Sequence, residues 1–284
     1  LETSIDAAQK SSSVFTRLYP DSAYAAAAHA DATRSSNAEQ LSPLAGLPVS
    51  IKDSIDIAGE PTLAGSAVLK GREPALADAP VIQRLRRAGA AILGKTHMTE
   101  FAFSTVGLNP HYGTPVNPTD KNVARIPGGS SSGAAVSVAM GLCVAAIASD
   151  TGGSIRIPAA LCGLAGFKPT ARRIPKNGML PLSTTLDTIG AITRSVDDCI
   201  LVDDIIADIP LSLPLLSFSG LHLAVPQTML NAMEPHVAAS FFSALSKMSA
   251  AGAKISDIPL SLLDEAAHLN KFSSVESYAW HREL

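Results

Sequence analysis

From Cys143 to Ala148 the chain runs through six apolar residues without a break, then stops at Ser149-Asp150 ahead of Thr151-Gly-Gly-Ser154. A run so short and so continuous suits a strand covered on both faces. Leu47-Pro-Val-Ser-Ile51, rich in β-branched residues, and Ala90-Ala-Ile-Leu93 read as two further short strands. Between them Pro80 to Ala88 has proline at a helix start, with Val81, Leu85 and Ala88 at helical spacing. This β, α, β succession predicts an α/β protein, a twisted mixed β-sheet core flanked by α-helices on both faces. Ser132 to Leu142 has helix-compatible small residues. Ser195-Val-Asp-Asp is an N-cap with an acidic first turn for a helix through Ile206, Leu221 to Val225 reads as a strand, and Pro235 to Ala250 as an amphipathic helix. Residues 1–45 read as an N-terminal helical segment broken at Pro20, and 46–284 as the α/β domain. Ile209 to Ser219 is the best linker candidate.

Composition removes several classes of function. A chain of 284 residues with 46% hydrophobic content has enough apolar material for a large core. Its formal charge of -3 and the absence of a Lys/Arg cluster disfavour direct binding of nucleic acid or an anionic membrane. The longest apolar stretch, Ala134 to Ala148, is interrupted by Ser137 and Gly141 and falls short of the roughly 20 residues a membrane helix needs. Cys143, Cys162 and Cys199 lie far apart without metal-ligand spacing and read as buried thiols. The N-terminus shows neither a basic region nor an apolar signal core and lacks an initiator Met, so a cytoplasmic location is the expectation.

Two Gly/Ser clusters carry the chemistry, Gly128-Gly-Ser-Ser-Ser-Gly133 and Asp150-Thr-Gly-Gly-Ser-Ile-Arg156. Either alone could be a flexible loop or an anion nest, but neither has a phosphate-loop form. Thr151-Gly152-Gly153-Ser154, following a buried strand, places a hydroxyl on a tight turn beside converging backbone N–H groups, as a nucleophile next to an oxyanion hole requires. A serine hydroxyl needs a base. None of the seven histidines (29, 97, 111, 222, 236, 268 and 281) sits in a catalytic motif. Lys52 follows an apolar strand directly, and a buried lysine loses its charged form readily enough to act as a neutral base. The alternative is a surface lysine paired with Asp53 or Asp56.

Gly46-Leu-Pro-Val-Ser-Ile-Lys-Asp53, the two Gly/Ser clusters, Cys162-Gly-Leu-Ala-Gly-Phe-Lys-Pro169, Gly94-Lys95-Thr96 and Asp187-Thr-Ile-Gly190 together resemble the signature of the amidase signature family, over roughly residues 47–194. That resemblance implies Ser154 as the acylated nucleophile, Ser130, preceded by a cis peptide bond, as the bridging serine, and Lys52 as the base. It implies an oxyanion hole from the N–H groups of Thr151, Gly152, Gly153 and Ser154. Ser131 is expected to hold Lys52, and Arg156 to order the turn through Asp150. Lys95 and Lys168 are expected to anchor loops, and Glu100-Phe-Ala-Phe103 reads either as acyl-pocket lining or as core. No metal or organic cofactor is implied.

The expected activity is hydrolysis of a small carboxamide to a carboxylate and ammonia or an amine. The alternatives are the glutaminase subunit of a tRNA-dependent amidotransferase, and a catalytically inactive fragment or binding scaffold. Phe101 to Asn117 departs from the pattern of that glutaminase subunit, and all three triad positions are filled. A small-molecule amide is the expected partner, with a homodimer left open. Because members of the family are longer, the chain is expected to lack the C-terminal part of the domain.

Overall fold

A computed structural model of the chain describes residues 1–36, 41–209, 216–230, 233–262, 265–266 and 272–282. It divides into two compact units. One comprises Leu1–Leu211 with Glu276–Leu284, and the other Ser212–Val275.

The first unit is built on a six-stranded mixed sheet. Its strands are β1 (Phe15–Leu18), β2 (Pro48–Lys52), β3 (Ala91–Thr96), β4 (Ala145–Asp150), β5 (Ala165–Phe167) and β6 (Thr188–Thr193), in the order β1-β3-β2-β4-β6-β5. The central pairs β2–β3 and β2–β4 are parallel, and the pairs toward the edges are antiparallel. Strands β2, β3, β4 and β6 are buried at every position. The period-2 pleat sends alternate residues into opposite cores. Val49, Ile51, Ala145 and Ile147 join one core with α3 (Pro80–Arg87) and α6 (Val196–Ala207). Ala91, Leu93, Ala146 and Ala148 join the other, with α1 (Glu2–Lys10), α2 (Pro20–Ser36), α4 (Ser132–Ala139) and α5 (Arg156–Leu161). The sheet is therefore covered on both faces, as the unbroken apolar runs require.

Residues 1–45 are part of this unit: Ile5, Ala8 and Ala23 lie in the second core, and β1 adds an antiparallel edge in place of the expected helical turns. Helix α4 is what brings the Gly/Ser clusters to the sheet. Its residues Ser132 to Val138 are all buried, and their small size lets the helix lie close over the strands. At Gly133 the approach is tightest, for a Cβ there would meet Val14 O at 2.4 Å and His97 N at 2.7 Å.

In the second unit β7 (His222–Pro226) and β8 (Lys254–Ile258) pair in parallel, joined through α7 (Pro235–Ala250). The expected strand and helix fall within a residue or two of their sequence boundaries. The expected linker, Ile209 to Ser219, falls largely outside the described residues. The last helix, α8 (Phe272–His281), enters the first unit from Glu276 onward. No described helix is long and apolar enough to cross a membrane.

Candidate active site

Lys52 ends β2, and the alternation of that strand decides where its side chain goes. Val49 and Ile51 enter one core, so Ser50 and Lys52 face the other way, toward α4. The Ser50 hydroxyl meets that of Ser137 in α4 at 2.8 Å, and Lys52 Nζ lies 2.8 Å from Ser130 Oγ, just ahead of the same helix. Lys52 is fully buried. It forms no ion pair with Asp53 or Asp56; Asp53 is taken instead by Lys95 at 2.8 Å, both side chains 2% exposed. Lys95 also donates to Thr62 Oγ1 and Pro61 O, so it anchors the 61–64 loop, as expected of a structural lysine. Lys168 donates to the neighbouring Pro169 carbonyl.

Burial without a carboxylate partner sets the character of Lys52. Desolvation lowers its pKa to about 7, against the opposing pull of the Asp187 and Asp150 charges. A substantial fraction is then a neutral amine near neutral pH. Nζ also reaches Ser149 Oγ at 2.9 Å and Ser149 O at 3.4 Å. The group that holds the lysine is thus Ser149. The Ser131 hydroxyl donates to the same Ser149 carbonyl, at 3.3 Å, and so acts on Lys52 through Ser149, a correction to the direct contact expected of it. The register explains this. Ile51 pairs with Ile147, which puts Ser149, the first polar residue of β4, just beyond the position opposite Lys52.

The two clusters meet through their backbones. Ser131 N–H donates to Ser154 O at 3.3 Å, and the Gly129–Ser130 peptide is cis. Ser130 is fully buried and Ser154 4% exposed. A loop from Thr99 to Thr105 grips the Ser130 turn on both sides, Thr99 N–H donating to Ser130 O at 3.0 Å and Gly129 N–H to Thr105 O at 2.7 Å.

Asp150 organises the Thr151–Ser154 turn. Its carboxylate accepts from Gly153 N–H at 2.8 Å, Ile155 N–H at 3.1 Å, and Arg156 Nε and Nη2 at 3.0 and 2.9 Å. Burial pushes this carboxyl up, but the Arg156 guanidinium and the backbone donors outweigh it, so Asp150 sits below the usual range. Arg156 and Asp150 thus meet at the Thr151–Ser154 turn. Gly153 requires a correction, because its N–H is engaged by Asp150 and is not free for a substrate oxygen. Among the described residues the N–H groups of Thr151, Gly152 and Ser154 carry no hydrogen bond. A Cβ on Gly152 would meet nothing within 4 Å, so open space adjoins these donors.

Asp187 belongs to the sequence pattern, but the pattern assigns it no role. It is 2% exposed, accepts from the Thr151 hydroxyl in a short contact, and accepts from Leu182 and Ser183 N–H at 2.9 and 3.1 Å. It therefore ties the Thr151–Ser154 turn to the 182–187 loop. No sequence signal separates it from any other acid before a strand. His97 is buried and neutral, its pKa lowered by desolvation to about 4, and is structural. His268 lies outside the described residues. The three cysteines are buried and free. Among the described residues no cluster of three or more His, Cys, Asp or Glu is placed to hold a metal.

Known proteins resemble this chain along its whole described length. A family model described as Amidase matches residues 1–281. The chain is 39% identical over 238 residues to a 2-amino-5-chloromuconic acid deaminase of Comamonas testosteroni, covering 80% of this chain and 50% of that protein. It is 38% identical over 271 residues to the A-type subunit of a glutamyl-tRNA(Gln) amidotransferase of Chloroflexus aggregans, covering 90% and 55%. A solved, inhibitor-bound structure of a vestigial protein complex, described as revealing the evolutionary origins of an s-triazine catabolic enzyme, superimposes with a TM-score of 0.88 at 34% identity, covering 99% of this chain and 64% of that one. The chain spans about half the length of the curated relatives it matches.

Proposed function

The chain belongs to the Amidase family, and on that premise we propose that it hydrolyses a small carboxamide through Ser154, Ser130 and Lys52. The observation that carries this reading is the buried, carboxylate-free Lys52 with Nζ 2.8 Å from Ser130 Oγ. A neutral amine has two N–H donors and one lone pair. With the two donors directed at Ser149, the lone pair accepts from the Ser130 hydroxyl, and in the reaction we propose that Ser130 in turn accepts from Ser154. Ser154 Oγ then attacks the amide carbonyl as its proton passes through Ser130 to Lys52. The oxyanion is held by the N–H groups of Thr151, Gly152 and Ser154, short donors that need no reorganisation. Return of the proton through Ser130 to the nitrogen releases ammonia or an amine, and water cleaves the acyl-enzyme by the same relay. Each proton transfer contributes a factor of about 100 to 10,000, with oxyanion stabilisation a further large term.

Turnover of an aryl amide tests this. The wild-type chain is expected to release the amine, and Lys52→Ala to lower kcat/KM at least about a thousandfold. Retained turnover in Lys52→Ala would remove lysine as the base. A second reading, the glutaminase subunit of an amidotransferase, is favoured by the 38% identity to such a protein over 90% of this chain. Glutamine hydrolysis that depends on a co-purifying partner would put that reading first.

A further inference from the structure

Resting on that reading, we propose that the turn of helix from Glu276 to His281 forms one wall of the substrate site and, with Phe101 and Phe103, selects carboxamides that carry an aryl group. Glu276 accepts from the hydroxyls of Ser183 and Thr185 in two short contacts, and from Thr185 N–H at 3.1 Å. These partners keep its carboxyl well below the ordinary range, at about 2, so it is an anion at every working pH. Ser183 and Leu182 bind Asp187, and Asp187 binds Thr151 of the nucleophile turn. The start of the helical turn is thereby fastened to the oxyanion side of the site.

Its end is fastened to the other side. The His281 ring stands edge-on to Phe101 with centroids 4.5 Å apart, and 6.1 Å from Phe103. Phe101 and Phe103 belong to the Thr99–Thr105 loop, whose ends bind the backbone on either side of Ser130. Phe101 and Ala102 are both left-handed, at φ 48° and 62°, a conformation costly for residues with a Cβ that clusters at ligand sites. Trp280 packs with Ala64, Met98 and Leu180, giving the turn an apolar seat. At about 1.5 Å of rise per residue, Glu276 and His281 stand roughly 7 to 8 Å apart along the axis. The turn is therefore held at one end by the loop behind Thr151 and at the other by the loop beside Ser130.

The chemistry of the wall points to the ligand. Phe103 is 57% exposed although it lies beside a ring, and an exposed phenylalanine edge is a poor surface for water but a good one for another aromatic. The His281 Nδ1 is engaged with Ser277, by its Oγ at 2.9 Å and its carbonyl at 2.8 Å, which fixes the ring plane. The exposed side of Phe103, with the fixed imidazole packed behind it, makes one side of a slot for an aryl group attached to the scissile carboxamide.

Binding of benzamide and of propionamide to a Ser154→Ala chain, by calorimetry, separates this proposal from the activity it rests on. Benzamide is expected to bind at least about tenfold more tightly. Phe103→Ala, a truncation at an exposed position, is expected to bring the ratio to within about threefold, and His281→Ala to lower it as well. Phe103→Tyr is expected to restore the preference. Equal affinity for the two amides in the parent chain, or a ratio unmoved in folded Phe103→Ala, overturns the aryl slot. Fluorophosphonate labelling of Ser154 in the wild-type chain is read separately. Labelling without aryl preference sinks only the slot, and aryl preference without labelling sinks only the hydrolase.

Discussion

At the scale of single residues, the proposed chemistry turns on Lys52, buried without an ion-pair partner among the described residues. The base must be neutral, so kcat/KM is expected to rise with pH through a midpoint near 7, the value to which burial brings Lys52. Asp187 opposes that shift by favouring the charged amine. Asp187→Asn should therefore move the midpoint to lower pH while slowing the reaction about 10- to 100-fold, because Thr151 loses its carboxylate acceptor. A midpoint that moves upward in a pH–rate series would contradict the electrostatic assignment. The same burial costs stability. The folded-state pKa of Lys52 lies below the unfolded value of 10.5, so between pH 7 and 10.5 the unfolded chain holds a proton that the folded chain releases. Wild-type stability thus rises with pH across that window. Lys52→Met is expected to exceed wild type in urea unfolding by several kcal/mol below pH 7, an advantage that fades by about pH 10.5. A pH-independent difference would mean that the lysine is not forced neutral.

At the scale of elements, two glycines separate fold from site. Gly133 sits where α4 crosses the end of β3, and an added Cβ would run into backbone atoms of Val14 and His97. Gly133→Ala should lose about 2 to 3 kcal/mol in denaturant titration, since backbone cannot step aside. Gly152 has no atom within 4 Å of its would-be Cβ. Gly152→Ala should leave the unfolding midpoint nearly unchanged yet lower kcat/KM, because that open space is where a substrate carbonyl must approach. Loss of stability without loss of rate in Gly152→Ala would place the substrate elsewhere. The elements themselves were partly legible. The apolar runs of β2, β3 and β4 and the helix from Pro80 announce themselves because both faces of the sheet are covered. By contrast β1, Phe15–Leu18, alternates weakly at an edge, and β5 is a three-residue strand with partly buried positions. Neither offers a periodic pattern long enough to read.

At the scale of the whole molecule, the residues of the site all fall in the unit formed by Leu1–Leu211 with Glu276–Leu284. Lys52, Ser130, Ser154, Asp150 and Arg156 were legible because each occupies a fixed place in a motif. Ser149 and Asp187 were not, since their roles arise from strand register and loop closure, which bring together residues distant in sequence. The Glu276–His281 turn was still less legible, for nothing local in Ser277-Tyr-Ala-Trp-His281 tells where it docks. In the proposed mechanism these distant pieces assemble one activated serine. Intact-mass spectrometry after exposure to a fluorophosphonate, comparing the wild-type chain with Ser154→Ala, tests it most directly. A single phosphonyl adduct is expected on the wild type and none on the variant. No adduct on a folded wild-type chain, or an adduct that persists in Ser154→Ala, would contradict it.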